Sequence, residues 1–134
     1  MSLPHSHPPQ SEIQKTIYIV DDDEAVTDSL HSLLETFGFN VQSHGSGNEF
    51  LADEQHRAAG CLLIDQHMPG ISGLDVVDNL RKRGIQLPTI LIFGQPDAST
   101  RECATRLSVR ELLDKPVAAG RLMQAIRTTL AEVG

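Results

Sequence analysis

The stretch that decides the fold lies near the middle of the chain, where residues 61–73 read CLLIDQHMPGISG. An apolar run from Cys61 to Ile64 precedes Asp65, and a loop containing Pro69 and Gly70 follows it. An apolar run without alternation is typical of a strand that is buried on both faces of a parallel sheet. The segment therefore predicts a central strand with a carboxylate at its carboxyl end.

Similar short runs recur on both sides of this segment. The predicted strands are Thr16–Val20, Asn40–Ser43, Cys61–Ile64, Thr89–Phe93 and Glu111–Leu113. Amphipathic stretches separate them, and parallel strands need crossover connections of this kind, which are right-handed. The pattern predicts an α/β fold with a five-stranded, parallel, doubly wound sheet.

Apolar spacing and capping residues predict the five helices. In the first, residues at helical spacing form the expected buried stripe, which consists of Val26, Leu30, Leu33, Leu34 and Phe37, and Gly38 ends the helix. The second follows Ser46, which with Glu49 matches a capping box, and the third follows Ser72. The fourth and fifth are expected at residues 98–107 and 118–132.

Length and charge limit the classes of function. The chain has 134 residues and a net charge of −7, which fits a single domain and argues against unaided binding to nucleic acid. Residues 1–14 are polar and rich in proline, so we expect a disordered tail before a domain at 15–134. Two cysteines, no signal peptide and no apolar run long enough to span a membrane indicate a cytoplasmic protein.

Charged residues follow three of the predicted strands. Asp21 and Asp22 follow the first strand, Asp65 the third, and Lys115 the fifth, with Pro116 making a candidate cis peptide. In doubly wound sheets, sites form at the carboxyl ends of the strands. A few carboxylates there suit Mg²⁺, and Asp65 can attack a phosphorus atom while Mg²⁺ and Lys115 neutralise the oxygens.

Three motifs carry a family resemblance. They are IVDDDEAV at 19–26, LIDQHMPGISG at 63–73 and LDKP at 113–116. Together they resemble the receiver domain of two-component response regulators, a CheY-like domain, and most closely its FixJ type. The resemblance covers about residues 15–133 and implies a flavodoxin-like sheet in the order 2-1-3-4-5.

The resemblance also implies roles for individual residues. Asp65 becomes the phosphoacceptor, Asp22 a direct Mg²⁺ ligand and Asp21 a ligand chiefly through water. His67 would supply its main-chain carbonyl to the ion, and Lys115 would contact the phosphoryl group. The expected partner is a sensor histidine kinase or histidine phosphotransfer protein, and the expected role is regulatory, not enzymatic. A homodimer through the fourth helix, fifth strand and fifth helix is a further expectation.

Three departures from the family pattern share one face. One is Ser108-Val109, which replaces the Gly-Ala pair that receivers usually carry before the fifth strand. Phe93 stands where receivers place a Ser or Thr that binds the phosphoryl oxygen, and Leu112 stands where they place the aromatic that moves with it. We expect an altered output switch. His67 and Gln95 occupy positions that tune the lifetime of the phosphoryl group in the family.

Two other functions remain open at this point. One is a pseudo-receiver that acts through protein binding without phosphorylation. The other is a small Mg²⁺-dependent phosphatase with an Asp nucleophile, although such enzymes usually carry a second Asp two positions on, where this chain has His67.

Overall fold

The computed structural model describes residues 15–53, 60–95 and 97–131. Its strands are β1 (Thr16–Val20), β2 (Asn40–His44), β3 (Gly60–Asp65), β4 (Thr89–Phe93) and β5 (Glu111–Asp114). Its helices are α1 (Glu24–Thr36), α2 (Gly47–Ala52), α3 (Gly73–Lys82), α4 (Ala98–Arg106) and α5 (Ala119–Ala131). The expected tail at 1–14 and the end of the expected fifth helix at 132 lie outside the described residues.

The five strands form one parallel sheet in the order β2-β1-β3-β4-β5. The predicted fold class and strand order are confirmed. Strands β2, β3 and β5 run one residue further than predicted at their carboxyl ends, to His44, Asp65 and Asp114. The register pairs Val20 with Ile64 and Phe93 with Asp114, which aligns the carboxyl ends along one edge of the sheet.

Each central strand divides its side chains between two buried layers. Ile17 and Ile19 of β1 join the core under α1 and α5, together with Leu122 and Ile126. Tyr18 joins the core under α2, α3 and α4 on the other face. Burial on both faces explains why the strands read as continuous apolar runs.

Side-chain caps fix where the helices begin. Asp23 caps α1 by accepting from the amides of Ala25 and Val26, and Ser46 caps α2 by accepting from the amide of Glu49. The full capping box lies at α3 instead, where Ser72 and Asp75 exchange hydrogen bonds. Such caps stabilise helix starts by about 1 kcal/mol each.

The predicted apolar stripe of α1 is partly wrong. Val26 and Phe37 are 40% and 50% exposed, whereas Leu34 is fully buried and Thr27 takes a buried place. Helical spacing alone did not reveal that Thr27 is buried and donates its hydroxyl to the Asp21 carbonyl. Phe37 contacts the Arg127 guanidinium, 5.7 Å from its ring centroid, instead of the core.

Neither cysteine forms a disulfide. Burial raises the pKa of the Cys61 thiol to about 12, so this residue remains a neutral core side chain. Within the described residues, no helix combines the length and the apolar character needed to cross a membrane.

Candidate functional site

Three carboxylates meet at the carboxyl edge of the sheet. Because Val20 of β1 is paired with Ile64 of β3, Asp21, directly after β1, and Asp65, the last residue of β3, lie next to each other. One oxygen from each of Asp21, Asp22 and Asp65 lies within 4.8 Å of the others. Asp21 and Asp65 are buried, at 7% and 4% exposure, whereas Asp22 faces solvent. The structure thus brings together the three acidic residues that the sequence singled out.

The turn after β1 holds Asp21 in place. Its Oδ1 accepts a hydrogen bond from the Asp23 amide at 3.0 Å, and its main-chain carbonyl accepts from the Thr27 hydroxyl at 3.3 Å. Its amide donates to the carbonyl of His44 in β2. These contacts hold one carboxylate oxygen and the main chain of Asp21 in place.

The loop after β3 is built around Asp65. The His67 amide donates to Asp65 Oδ1 at 3.2 Å, and the side-chain oxygen of Gln66 accepts from the Leu74 amide at 2.8 Å. Gly73 packs so closely that a Cβ there would lie 2.7 Å from the Asp65 carbonyl oxygen. The glycine at this position is therefore required by the close approach of two backbones.

Lys115 approaches the same carboxylate from β5. Its Nζ lies 3.0 Å from Asp65 Oδ2, and its amide donates to the carbonyl of Phe93 at 2.9 Å. The Lys115–Pro116 peptide is cis, as the sequence suggested. Asp65 therefore has one oxygen beside an ammonium group and the other beside a main-chain amide.

The cluster carries more negative charge than its single ammonium group balances. The pKa of Asp21 is raised, first by burial and also by the nearby charges of Asp65 and Asp22, while the Asp23 amide and Lys115 oppose the rise. Oxygen donors in this number match the preference of Mg²⁺, which binds through one or two carboxylates and keeps water and phosphate oxygens as its other ligands. The residues present fit this ion.

The departing positions Phe93 and Leu112 lie in β4 and β5, the two strands on one side of β3. Phe93 is fully buried at the end of β4, and the guanidinium of Arg101 in α4 lies 5.4 Å from its ring centroid. Leu112 is partly buried against the core under α2, α3 and α4. His67 and Gln95 are exposed on the loops at the same edge.

Sequence reasoning missed several supporting residues. Thr27, Gln66 and Arg101 act through single contacts with the main chain or with Phe93. For Thr27, the only signal in the sequence was a polar residue beside the predicted apolar stripe of the first helix. Nothing in the spacing indicated that Arg101 would stack on Phe93, since that contact depends on how α4 packs.

The fold and the site define a class: an α/β protein of CheY-like topology with an acidic cluster and a lysine at the carboxyl edge of its sheet. The family model described as the response regulator receiver domain matches residues 17–127. The chain belongs to this family, and it is thus a receiver domain of the two-component systems. Such domains are regulatory phosphoacceptors that interact with histidine kinases.

Named relatives and solved structures agree with this assignment. The chain is 38% identical to the response regulator protein TodT of Pseudomonas putida over 90% of its length, and 40% identical to TmoT of Ectopseudomonas mendocina over 87%. In both cases the match covers 53% of the relative, so the chain spans about half of their length. The crystal structure of FixJ-N is 32% identical, with a TM-score of 0.79 over 87% of this chain and 94% of that one.

Proposed function

We propose that Asp65 accepts a phosphoryl group from a phosphohistidine on a sensor histidine kinase or a histidine phosphotransfer protein. The observation that supports this most is the buried Asp65 carboxylate, which has Lys115 Nζ at 3.0 Å and two further carboxylates close by. Two buried carboxylates, Asp21 and Asp65, repel each other when no cation lies nearby. A site that binds a cation and a phosphoryl group accounts for this unfavourable arrangement.

In the proposed transfer, a carboxylate oxygen of Asp65 forms a bond to phosphorus as the bond from phosphorus to the donor imidazole nitrogen breaks. The electron pair of the broken bond stays on the imidazole, and the product is an acyl phosphate. The Lys115 ammonium group, which donates to Asp65 Oδ2, offsets the negative charge of the incoming phosphoryl group. The His67 amide donates to Asp65 Oδ1 and fixes the orientation of the carboxylate.

We propose that Asp21, Asp22, Asp65 and the main-chain carbonyl of His67 hold Mg²⁺. The bound ion would supply positive charge against the equatorial oxygens of the phosphoryl group. The raised pKa of Asp21 supports this, because a cation relieves the repulsion that burial makes stronger.

The output switch is proposed to be altered. A phenyl ring at position 93 has no hydroxyl to donate to a phosphoryl oxygen, and this ring is fully buried beneath the Arg101 guanidinium. Leu112 is already packed against the core and lacks the aromatic ring that the family uses there. Phosphorylation of Asp65 would therefore change the conformation of α4 and β5 only slightly.

The surroundings of the phosphoryl group support two further proposals. His67 and Gln95, both exposed at the site edge, would tune its lifetime through their access to attacking water. A second copy of the chain would pair through α4, β5 and α5. The proposed role is regulatory, without catalysis of a separate substrate, and the net charge of −7 opposes nucleic-acid binding by this domain alone.

Labelling with acetyl phosphate and Mg²⁺, followed by intact-mass measurement, tests the proposed function. We expect one phosphoryl group per wild-type chain and none on Asp65→Asn. Asp23→Asn is the matched control, because Asp23 caps α1 and Asn caps equally well, so labelling should persist. An unlabelled wild-type chain would favour the pseudo-receiver, and turnover of p-nitrophenyl phosphate would favour the phosphatase.

A further inference from the structure

A polar cleft lies at the opposite end of β4 and β5 from the carboxylates. It has a volume of about 500 Å³ and is lined by Arg81, Gln86, Pro88, Ser108, Val109 and Arg110. The four steps along β4 from Thr89 to Phe93 separate the cleft from the acidic edge by about 13 Å. The cleft is therefore a different place from the site around Asp65.

Two guanidinium groups, those of Arg81 and Arg110, line the cleft, and none of the described residues that line it is acidic. Burial lowers the pKa of Arg81, and the charge of Arg110 lowers it further. Two close positive charges in a partly buried place are stabilised when an anion lies between them.

Arg81 is held rigidly. Its Nε donates to the Leu107 carbonyl at 2.9 Å, and its Nη1 donates to the carbonyls of Ile85 and Leu87, each at 3.1 Å. In the described part of the chain, its Nη2 has no hydrogen-bond partner. A guanidinium fixed in this way loses little conformational freedom when it binds an anion through the remaining donors.

Ser108 adds a second kind of donor. It lies just after α4, and its φ of 63° is in the left-handed region that a non-glycine residue rarely adopts. Its hydroxyl makes no hydrogen bond to any of the described residues. A hydroxyl and a fixed guanidinium at one cleft are donors that suit the oxygens of a phosphate group.

We propose that this cleft binds the phosphate group of a small phosphorylated molecule through Arg81 and Ser108, with Arg110 supplying further positive charge. The cleft exceeds the size of inorganic phosphate, and its volume falls in the range of small-molecule sites. The proposal does not depend on phosphorylation of Asp65.

Titration of the whole chain with inorganic phosphate, in EDTA and at constant ionic strength, tests the proposal by NMR. We expect saturable shifts of the Arg81 Nε–H and of the Ser108 and Val109 amides. Asp65→Asn should bind phosphate as the wild type does. Glycerol 3-phosphate should bind at least as tightly as inorganic phosphate. Acetate binding as tight as that of phosphate would overturn the phosphate assignment.

Variants keep the test independent of folding. Arg110→Gln should weaken binding about tenfold, and Ser108→Gly, which suits the positive φ, should weaken it about threefold. Arg127→Gln on α5 is the matched control and should bind as the wild type does. Shifts that grow linearly without saturation, or that are unchanged in Arg110→Gln, would overturn the proposal.

Discussion

The carboxylates and the lysine of the candidate site show what single residues reveal before a structure is known. Asp21, Asp22, Asp65 and Lys115 were predictable because each follows a buried strand, and parallel strands end at one edge. Their contacts were not predictable. The 3.0 Å distance from Lys115 to Asp65 depends on a side chain that crosses the end of β4.

Lys115→Gln should slow phosphorylation of Asp65 without unfolding the chain. The side chain is partly exposed, so its loss leaves the core intact, but the amide no longer carries the charge that offsets the transferred oxygens. We expect a decrease of about a hundredfold in the rate of labelling by acetyl phosphate. An unchanged rate would contradict the role of Lys115.

Gly73→Ala should destabilise the loop that carries Asp65. The added Cβ would lie 2.7 Å from the Asp65 carbonyl oxygen and 2.9 Å from Leu91 Cδ1, so the backbone must shift. We expect a loss of about 1–3 kcal/mol in the free energy of unfolding, measured with urea. Gly120→Ala is the control, because a Cβ there meets no atom within 4 Å and alanine favours the helix. Equal effects of the two substitutions would refute the steric argument.

At the scale of helices and strands, the sequence predicted which elements form better than it predicted which face of a helix is buried. All five strands were found within one residue of their predicted bounds. For β1, β3 and β4 the reason is that buried parallel strands leave nearly continuous apolar runs. The rotation of α1 was partly wrong, since Val26 and Phe37 face outward. Helical spacing defines a stripe, but which edge of that stripe is buried depends on how α1 packs on the sheet, where Leu34 and Thr27 face inward.

The start of α4 should depend on pH through its cap. Asp97 accepts a hydrogen bond from the Thr100 amide at 2.7 Å, and this bond lowers the pKa of Asp97 below 3.8. The stabilisation is therefore present above the ordinary carboxyl pKa and is lost as the pH falls through the lowered value.

Asp97→Ala should accelerate hydrogen exchange of the α4 amides at neutral pH, whereas Asp97→Asn should preserve their protection and remove its loss in acid. Exchange rates measured by NMR across this pH range provide the test. Protection in Asp97→Ala equal to that of the wild type would show that the cap does not hold α4.

At the scale of the whole molecule, acidic side chains are concentrated in the first half of the sequence and basic side chains in the second half. Residues 1–65 carry 2 basic and 11 acidic side chains, and residues 66–134 carry 9 and 7. The structure gathers three of the acidic side chains at the carboxyl edge, and it places Arg81 and Arg110 at the opposite edge of β4 and β5. Composition revealed the imbalance, but only the sheet register shows that the two charges lie at opposite ends.

Asp21→Asn should stabilise the chain in EDTA and abolish its response to Mg²⁺. The substitution removes one charge from a buried repelling cluster and keeps an oxygen that can accept from the Asp23 amide. Wild-type protein should gain about 2.7 kcal/mol in the free energy of unfolding when Mg²⁺ is a hundred times its Kd. Urea unfolding with and without Mg²⁺ measures both effects, and a full Mg²⁺ response in the variant would argue against Asp21 as part of the ion site.

The most direct test of the central claim is the NMR response to beryllofluoride and Mg²⁺, which together mimic a phosphorylated Asp65. We expect large amide shifts around Asp21, Asp65 and Lys115, with small shifts in α4 and at Leu112. The double variant Phe93→Thr and Leu112→Tyr restores the hydroxyl and the aromatic ring, and it should extend the large shifts into α4. Large shifts throughout residues 93–115 of the wild type would contradict an altered switch, and no shifts at all would contradict phosphoryl binding at Asp65.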